Sequence, residues 1–360
     1  MAVVISVAKV VAMRVRNQNA VLSNGCMPGH LLCANPAIIA DAQYDDFEEQ
    51  AAQLVGFDQS YLQLSPGPFR GRFMSCFLGD GLSLHLEHCT QTLEQSLASD
   101  GQAYNIGVVI TPGAPFRLNG HDLGPDQVMI ATPGSALHMR SPAHGAILAI
   151  VIHRTRMEAA TATFPNVMDW LGAMSGGVQI LQAPELARRI REDVVQSLQA
   201  AHCFRDGSET ARSIGDALMA GMLSKLALDL ARKPDEHAAA LPLSFARFLA
   251  CRDILHRDWT SIRHVGDLLA ATGEVGRRTV EISFSDQVAM GPLTYQRILR
   301  LNMARRALRD RALFGQSIGD IAAQFDFWSG SQFATQYRAL FGQLPSETRL
   351  QAGYQQNPQS

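Results

Sequence analysis

Arg278, Glu281 and Ile282 stand at i, i+3 and i+4, a spacing that gathers three side chains on one side of a helix. The set suits the edges of base pairs. An arginine can donate twice to guanine O6 and N7, a glutamate can accept from the cytosine N4 amine, and an isoleucine can pack on a thymine methyl. Each also has a plainer use: Arg278 contacts phosphate alone, Glu281 pairs with Arg277 or Arg278, or Ile282 packs at the rim of a core. A second outward set, Gly330, Ser331, Ala334 and Thr335, flanked by Ser329 and Arg338, has smaller side chains and suits backbone, water-mediated and shape contacts. Gln332 serves there as a cap or as a base reader. Trp328 either packs on a sugar-phosphate backbone or lids Phe325 and Phe327.

The other group with chemical potential is His85-Leu-Glu-His88-Cys89, with Glu94 further on, because cupin enzymes hold a metal with His-x-His and a following Glu. In a strand, side chains alternate faces, so His85 and His88 point oppositely, and no bulge is signalled to rescue them. Hydrogen-bonded or surface histidines are therefore expected, as they are at His121, His138, His144 and His153. The glycine-rich stretches lack the lysine and the strand-to-helix context of phosphate-binding and dinucleotide motifs. No catalytic residue, metal or cofactor is assigned.

The elements that position the first two sets can be read from caps and periodicity. Ser317 and Asp320 form a capping-box signature, and Ile318, Ile321 and Phe325 make the inward stripe of a leading helix. Ser329 and Gln332 repeat the box before a second helix, whose inner face holds Phe333, Tyr337, Leu340 and Phe341. An earlier copy has Val265, Leu268 and Leu269 in its leading helix, Gly273 as terminator, Gly276 as cap, and Val280 with Phe284 inward. Each copy is a helix-turn-helix, in which the second helix can enter a major groove. Between the copies, Ile298, Leu301, Ala304 and Leu308 form a buried seam; Arg297, Arg300, Arg305, Arg306 and Arg309 are expected mostly off it, on phosphates or paired with Asp310 or Asp286.

Upstream, from about Gln63 to Arg156, short apolar runs such as 106–110, 127–131 and 146–152 are separated by turn signals and read as strands at barrel-like spacing. Helical periodicity follows over 184–202 and 208–232. Residues 1–40 are expected to be a loosely ordered head or an extension upstream of the natural start; the apolar opening carries its first charge early and no cleavage site, unlike a signal peptide.

The span from about Leu243 to Leu350 resembles the tandem helix-turn-helix module of AraC/XylS-family transcription regulators. The likeness is carried by Arg-Arg-Thr-Val280 through Phe284, by Arg-Ile-Leu-Arg-Leu-Asn-Met-Ala-Arg-Arg-Ala-Leu308, and by Ser-Ile-Gly-Asp-Ile-Ala322 through Pro345. Phe-Trp-Ser-Gly-Ser-Gln-Phe-Ala and Tyr-Arg-Ala-Leu-Phe-Gly-Gln-Leu-Pro-Ser resemble, within that family, regulators of ethanolamine-utilisation operons. The resemblance implies an α+β chain. A β-rich, cupin-like amino-terminal domain for effector binding and dimerisation, with a helical connector, precedes an all-α tandem helix-turn-helix domain. It implies base reading from Arg278, Glu281 and Ile282, places Gly330, Ser331, Ala334 and Thr335 at base-facing positions of the second helix, and adds Arg277, Ser329 and Arg338 as DNA contacts. It implies also a linking helix that sets the separation of the two heads, and a cytoplasmic activator that acts as a homodimer, recruits RNA polymerase and responds to a small-molecule effector. Phe73, Phe116 and His138 are candidate lining residues for that effector. The matching domain boundaries are 1–40 head, 41–230 effector domain, 231–243 linker, 244–350 DNA-binding domain and 351–360 tail.

Charge is divided accordingly. Residues 241–350 carry 14 arginines, no lysine and 10 acidic residues, a net of +4, while the rest carries 17 basic and 23 acidic residues, a net of −6. A basic tail behind an acidic body suits phosphate contact confined to one domain. Six cysteines without paired spacing argue for reduced thiols rather than disulfides or zinc, and no apolar run approaches the roughly 20 residues that cross a bilayer. Rival readings are a metal-dependent cupin-type enzyme with an appended DNA module, a regulator without effector, and an architectural DNA binder.

Overall fold

The computed structural model describes residues 39–54, 57–99, 101–111, 113–174, 177–201, 208–232, 241–273 and 276–354. Most of the expected head, linker and tail therefore lies outside the described residues. Ile39 and Ala40, inside the expected head, already belong to the first strand, and the last helix runs past 350 to Tyr354.

Among the described residues, twelve strands form two antiparallel sheets rather than one closed ring, which corrects the barrel-like expectation. The seven-stranded sheet orders β1 (Ile39–Tyr44), β3 (Gly71–Phe77), β4 (Leu82–Cys89), β11 (Gly145–His153), β6 (Ala103–Val109), β9 (Gln127–Ala131) and β12 (Val178–Gln182). The five-stranded sheet orders β2 (Phe57–Gln63), β5 (Leu93–Ser99), β10 (Ala136–Arg140), β7 (Phe116–Leu118) and β8 (His121–Leu123). Strand alternation explains how the larger sheet buries both faces. In β4, Leu82, Leu84 and Leu86 face a core shared with helices, whereas Glu87 and His85 face the space between the sheets.

The helices are α1 (Phe47–Ala51), α2 (Arg154–Thr161), α3 (Pro165–Ala173), α4 (Pro184–Ala201) and α5 (Ser208–Arg232), then the carboxy-terminal set. That set is α6 (Leu243–Asp258), α7 (Val265–Thr272), α8 (Arg277–Val288), α9 (Pro292–Arg309), α10 (Ile318–Gln324), α11 (Gly330–Phe341) and α12 (Pro345–Tyr354). Leu186, Ile190 and Val194 of α4 and Met219, Met222 and Leu223 of α5 cover the outer face of the seven-stranded sheet. The five-stranded sheet carries the carboxy-terminal helices on its other side. Leu62 and Leu64 share a core with Phe245, Phe248, Phe284 and Tyr295, and Phe47, Tyr61 and Phe69 share one with Leu301, Leu308 and Phe341.

Polar bonds cross the same boundary. Asn302 behaves toward β2 as a partner strand would: its Oδ1 accepts from Gln63 N at 3.0 Å and its Nδ2 donates to Gln63 O at 3.1 Å. Gln63 Nε2 also donates to Leu340 O at 2.7 Å, taking up a carbonyl at the end of α11 that the helix leaves without a partner. Glu94, fully buried, accepts from Arg252 and lies 2.8 Å from His138 Nε2, while Arg252 Nη2 donates to Ser96 Oγ at 2.9 Å.

Candidate nucleic-acid interface

In the first motif, α7 begins with a capping box in which Asp267 Oδ2 accepts from His264 N at 2.7 Å, and it ends at Gly273, where φ is 88°. Gly276 caps α8. Val280 and Phe284 are fully buried, Phe284 lying 5.0 Å from the Phe248 ring and 5.5 Å from Tyr295. That packing turns Arg277, Arg278 and Ile282 outward, with Ile282 47 % exposed. Glu281 is half-buried and accepts from Arg277 Nε at 2.9 Å, an intramolecular pair. Both partners are solvated, so the bond contributes only about 0.3–0.5 kcal/mol.

The second motif follows its caps. Ser317 Oγ accepts from Asp320 N at 3.0 Å while Asp320 Oδ2 accepts from Ser317 N at 3.2 Å, a complete capping box for α10. Ser329 Oγ accepts from Gln332 N at 3.4 Å at the start of α11, and Gly342, with φ of 72°, ends it. Phe333, Tyr337, Leu340 and Phe341 are buried. Ser329, Gly330, Ser331, Thr335 and Arg338 are exposed and Ala334 is half-buried. The Thr335 hydroxyl donates to Ser331 O at 2.9 Å, back into its own helix, which leaves it a still weaker reader of bases. Trp328 is 81 % exposed and lids nothing; its Nε1 donates to Asp326 Oδ1 at 2.7 Å.

The linking helix α9 departs most from the sequence reading. Of its seam, Leu301, Ala304 and Leu308 are buried and Ile298 is partly buried against the same cores. Arg300, Arg305, Arg306 and Arg309, however, find carboxylates at Asp46, Glu48, Glu49 and Asp326, not at Asp310 or Asp286, while Arg297 is exposed. Asp46 caps α1, accepting from Glu48 N at 2.8 Å and Glu49 N at 3.0 Å, and Arg305 donates to its Oδ2. Arg309 Nη1 lies 2.8 Å from Asp46 Oδ2 and its Nη2 2.6 Å from Glu49 Oε1; Arg306 Nε donates to Glu48. Arg305, expected off the seam, is buried, with its guanidinium 4.6 Å from the Phe47 ring. Burial pushes the Asp46 carboxyl up, and Arg305 with Arg309 outweighs it, so the group ends below its usual range. The signal for this site was present in Asp46-Phe-Glu-Glu49, a capped acidic turn, but nothing local assigns it a partner so far along the chain.

His85, the first of the tested histidines, lies between two hydroxyls, 3.0 Å from Ser75 Oγ and 2.8 Å from Ser83 Oγ, and burial brings its pKa down to about 4. Glu94, the acid expected to follow a metal histidine, serves Arg252 and His138 instead. Between the sheets lies a cavity of about 60 Å³ whose lining includes Tyr61, Phe73, His85, Glu87, Leu97 and Met139. Phe73 lines this cavity, whereas Phe116 and His138 do not. Phe116 packs in an adjoining cluster with Val109 and Leu118, and His138 rests on Phe245 and Phe248 at the boundary with α6.

Residues 269–351 match the family model of a helix-turn-helix domain. The matched segment runs from the end of α7 into α12 and includes both outward helices. Solved structures of ToxT from Vibrio cholerae align along most of the chain. The O395 protein is 10% identical over 82% of this chain and 97% of that one, with a TM-score of 0.27. Its complex with (E)-4-(8-methylnaphthalen-1-yl)but-3-enoic acid is 10% identical over 82% and 99%, with a TM-score of 0.28. Unsaturated fatty acid bound wild-type ToxT from strain SCE256 is 10% identical over 82% and 95%, with a TM-score of 0.27. Overlap this loose bears on neither the fold nor the ligand of this chain.

Proposed function

We propose that the chain is a sequence-specific DNA-binding transcription regulator whose tandem helix-turn-helix domain is controlled from the amino-terminal sandwich. The observation that carries the reading is the pair α8 and α11. Each is seated by two or more buried aromatic or aliphatic anchors, each follows a capped helix, and each presents an outer face to solvent within the segment matched as a helix-turn-helix domain. Arg278 and Ile282 read base edges, and Arg277, held by Glu281, contacts backbone phosphate. Ser329, Gly330, Ser331, Ala334, Thr335 and Arg338 bring α11 close to the duplex and read shape more than bases.

A small molecule in the sandwich acts by binding one arrangement of the domains better than another. A homodimeric activator that recruits RNA polymerase in the cytoplasm completes the proposal, and the segments around Trp328 and Tyr337 support its narrower likeness to ethanolamine-operon regulators. Genomic footprinting of the protein, followed by binding titrations on the strongest site and on shuffled DNA across salt, tests the reading. A preferred site with salt-sensitive affinity is expected; equal affinity for every duplex would leave an architectural binder instead.

A further inference from the structure

We infer that Asp326 fixes how the two helix-turn-helix motifs are turned relative to one another, and so sets the base-pair spacing at which α8 and α11 engage one duplex. The inference rests on the DNA-binding reading above.

Three donors from three elements meet on this one carboxylate. Arg263, just ahead of α7 in the first motif, donates to Oδ2; Arg300 of the linking helix donates to the same oxygen at 2.8 Å. The Trp328 indole, just ahead of α11, donates to Oδ1 at 2.7 Å. Asp326 itself occupies the turn between α10 and α11. Aromatic contacts follow the same line, with the Trp259 and Phe325 rings 6.0 Å apart and the Arg300 guanidinium 5.3 Å from the Phe327 ring.

A continuous helix such as α9 fixes how far apart two motifs stand along its axis. How each is turned about that axis needs a tie away from it. The Arg263–Asp326 bond is such a tie, because it joins the start of the first motif to the turn of the second without passing along α9. The backbone supports a dedicated role: φ at Asp326 is 65°, a left-handed conformation in which a residue with a Cβ is disfavoured relative to glycine. Glycine would remove that penalty and with it the carboxylate.

Inserting one base pair between two half-sites rotates the second by about 35° and moves it about 3.4 Å, given about 10–10.5 base pairs per 34–36 Å turn. A rigid pair of heads cannot follow that change, whereas a loosened pair can. The test uses the full chain, its best bipartite duplex, the same duplex with one base pair added or removed between the half-sites, and each half-site alone. Asp326→Asn keeps the size and the left-handed tolerance while removing the charge; Arg263→Ala releases the tie from the other side. The wild type should lose about tenfold or more in affinity at the altered spacings, and both variants should bind all three spacings within about threefold with unchanged half-site affinity. Retention of the wild-type spacing preference by both variants would overturn the inference, as would uniform weakening on every duplex and half-site. A wild type that prefers no duplex would overturn the regulator reading and this inference with it.

Discussion

Arg305 of α9 and Asp46 at the cap of α1 meet across the boundary between the sandwich and the helical module, each side chain only 4 % exposed. The guanidinium also lies 5.5 Å from the Phe341 ring, at the end of α11, so one side chain joins the acidic turn to the second motif.

Removing one partner of that pair should be costly. Arg305→Met leaves Asp46 buried with Arg309 as its remaining cation, and breaking a buried pair in this way typically destabilises by about 3–5 kcal/mol. Asp46→Asn keeps the cap of α1 while removing the charge. Urea melts of the two single variants and the double are expected to give a coupling above about 1 kcal/mol. Additive effects would mean that Arg305 contributes through packing alone.

Acid should loosen the same boundary. At Glu94, burial pushes the carboxyl up, but His138, Arg252 and His256 outweigh it and bring the pKa down to about 2, from an ordinary 4.5. Asp46 shifts in the same direction. A depressed folded-state pKa contributes stability that is complete above the unfolded value and is lost as pH falls through the folded one. The unfolding temperature of the wild type should therefore decline steeply as pH falls from about 4.5 to 2, and less steeply in Glu94→Gln, which is already less stable at neutral pH. Parallel pH profiles for the two proteins would refute the assignment.

The contrast between these sites and the reading helices shows what the sequence discloses. Ser317 with Asp320, Gly273, Gly276 and the Val280/Phe284 pair are local signals: a cap, a left-handed terminator and a four-residue repeat act within a few positions, and each appears where it was read. Turn chemistry delimits the strands around 106–110, 127–131 and 146–152 but does not delimit β1, β2 and β12, and turn spacing alone does not separate two sheets from a closed ring. Arg305 looked like a solvated arginine because its partner lies in another domain; an arginine on a helix face has no local pattern that separates phosphate contact from burial against Asp46. Glu94, read beside His85, pairs instead with Arg252, a residue in the other half of the chain.

Arg278 and Glu281 should separate in their effects. Arg278 is exposed and makes no ion pair among the described residues, so Arg278→Ala should leave folding nearly unchanged. It should weaken the best site by about 1–3 kcal/mol while relaxing one base position. Glu281→Ala releases Arg277 and should change stability by less than about 0.5 kcal/mol. Competition titrations against a library varied at each position distinguish the two. An equal loss on random DNA for Arg278→Ala would reassign it to phosphate.

The helical module alone should still bind DNA, but at reduced stability. Both motifs and the arginine excess lie within 241–350, which is the part needed for counterion release and groove entry. A cut at 350 would divide α12, whose Thr348 hydroxyl lies 2.8 Å from Tyr337 OH and whose Ala352 is buried, so 241–354 is the appropriate fragment. Severing it from the sandwich exposes Phe245, Phe341 and Leu301, strips Arg305 of Asp46, and leaves Leu340 O without Gln63. The fragment should therefore unfold at a lower temperature than the full chain, while its affinity for duplex DNA falls linearly in log–log terms with salt. Circular dichroism melts and anisotropy titrations over a salt series give both quantities. A folded fragment that binds no duplex at low salt would show that the sandwich supplies part of the DNA-binding surface itself, and the modular reading would fail.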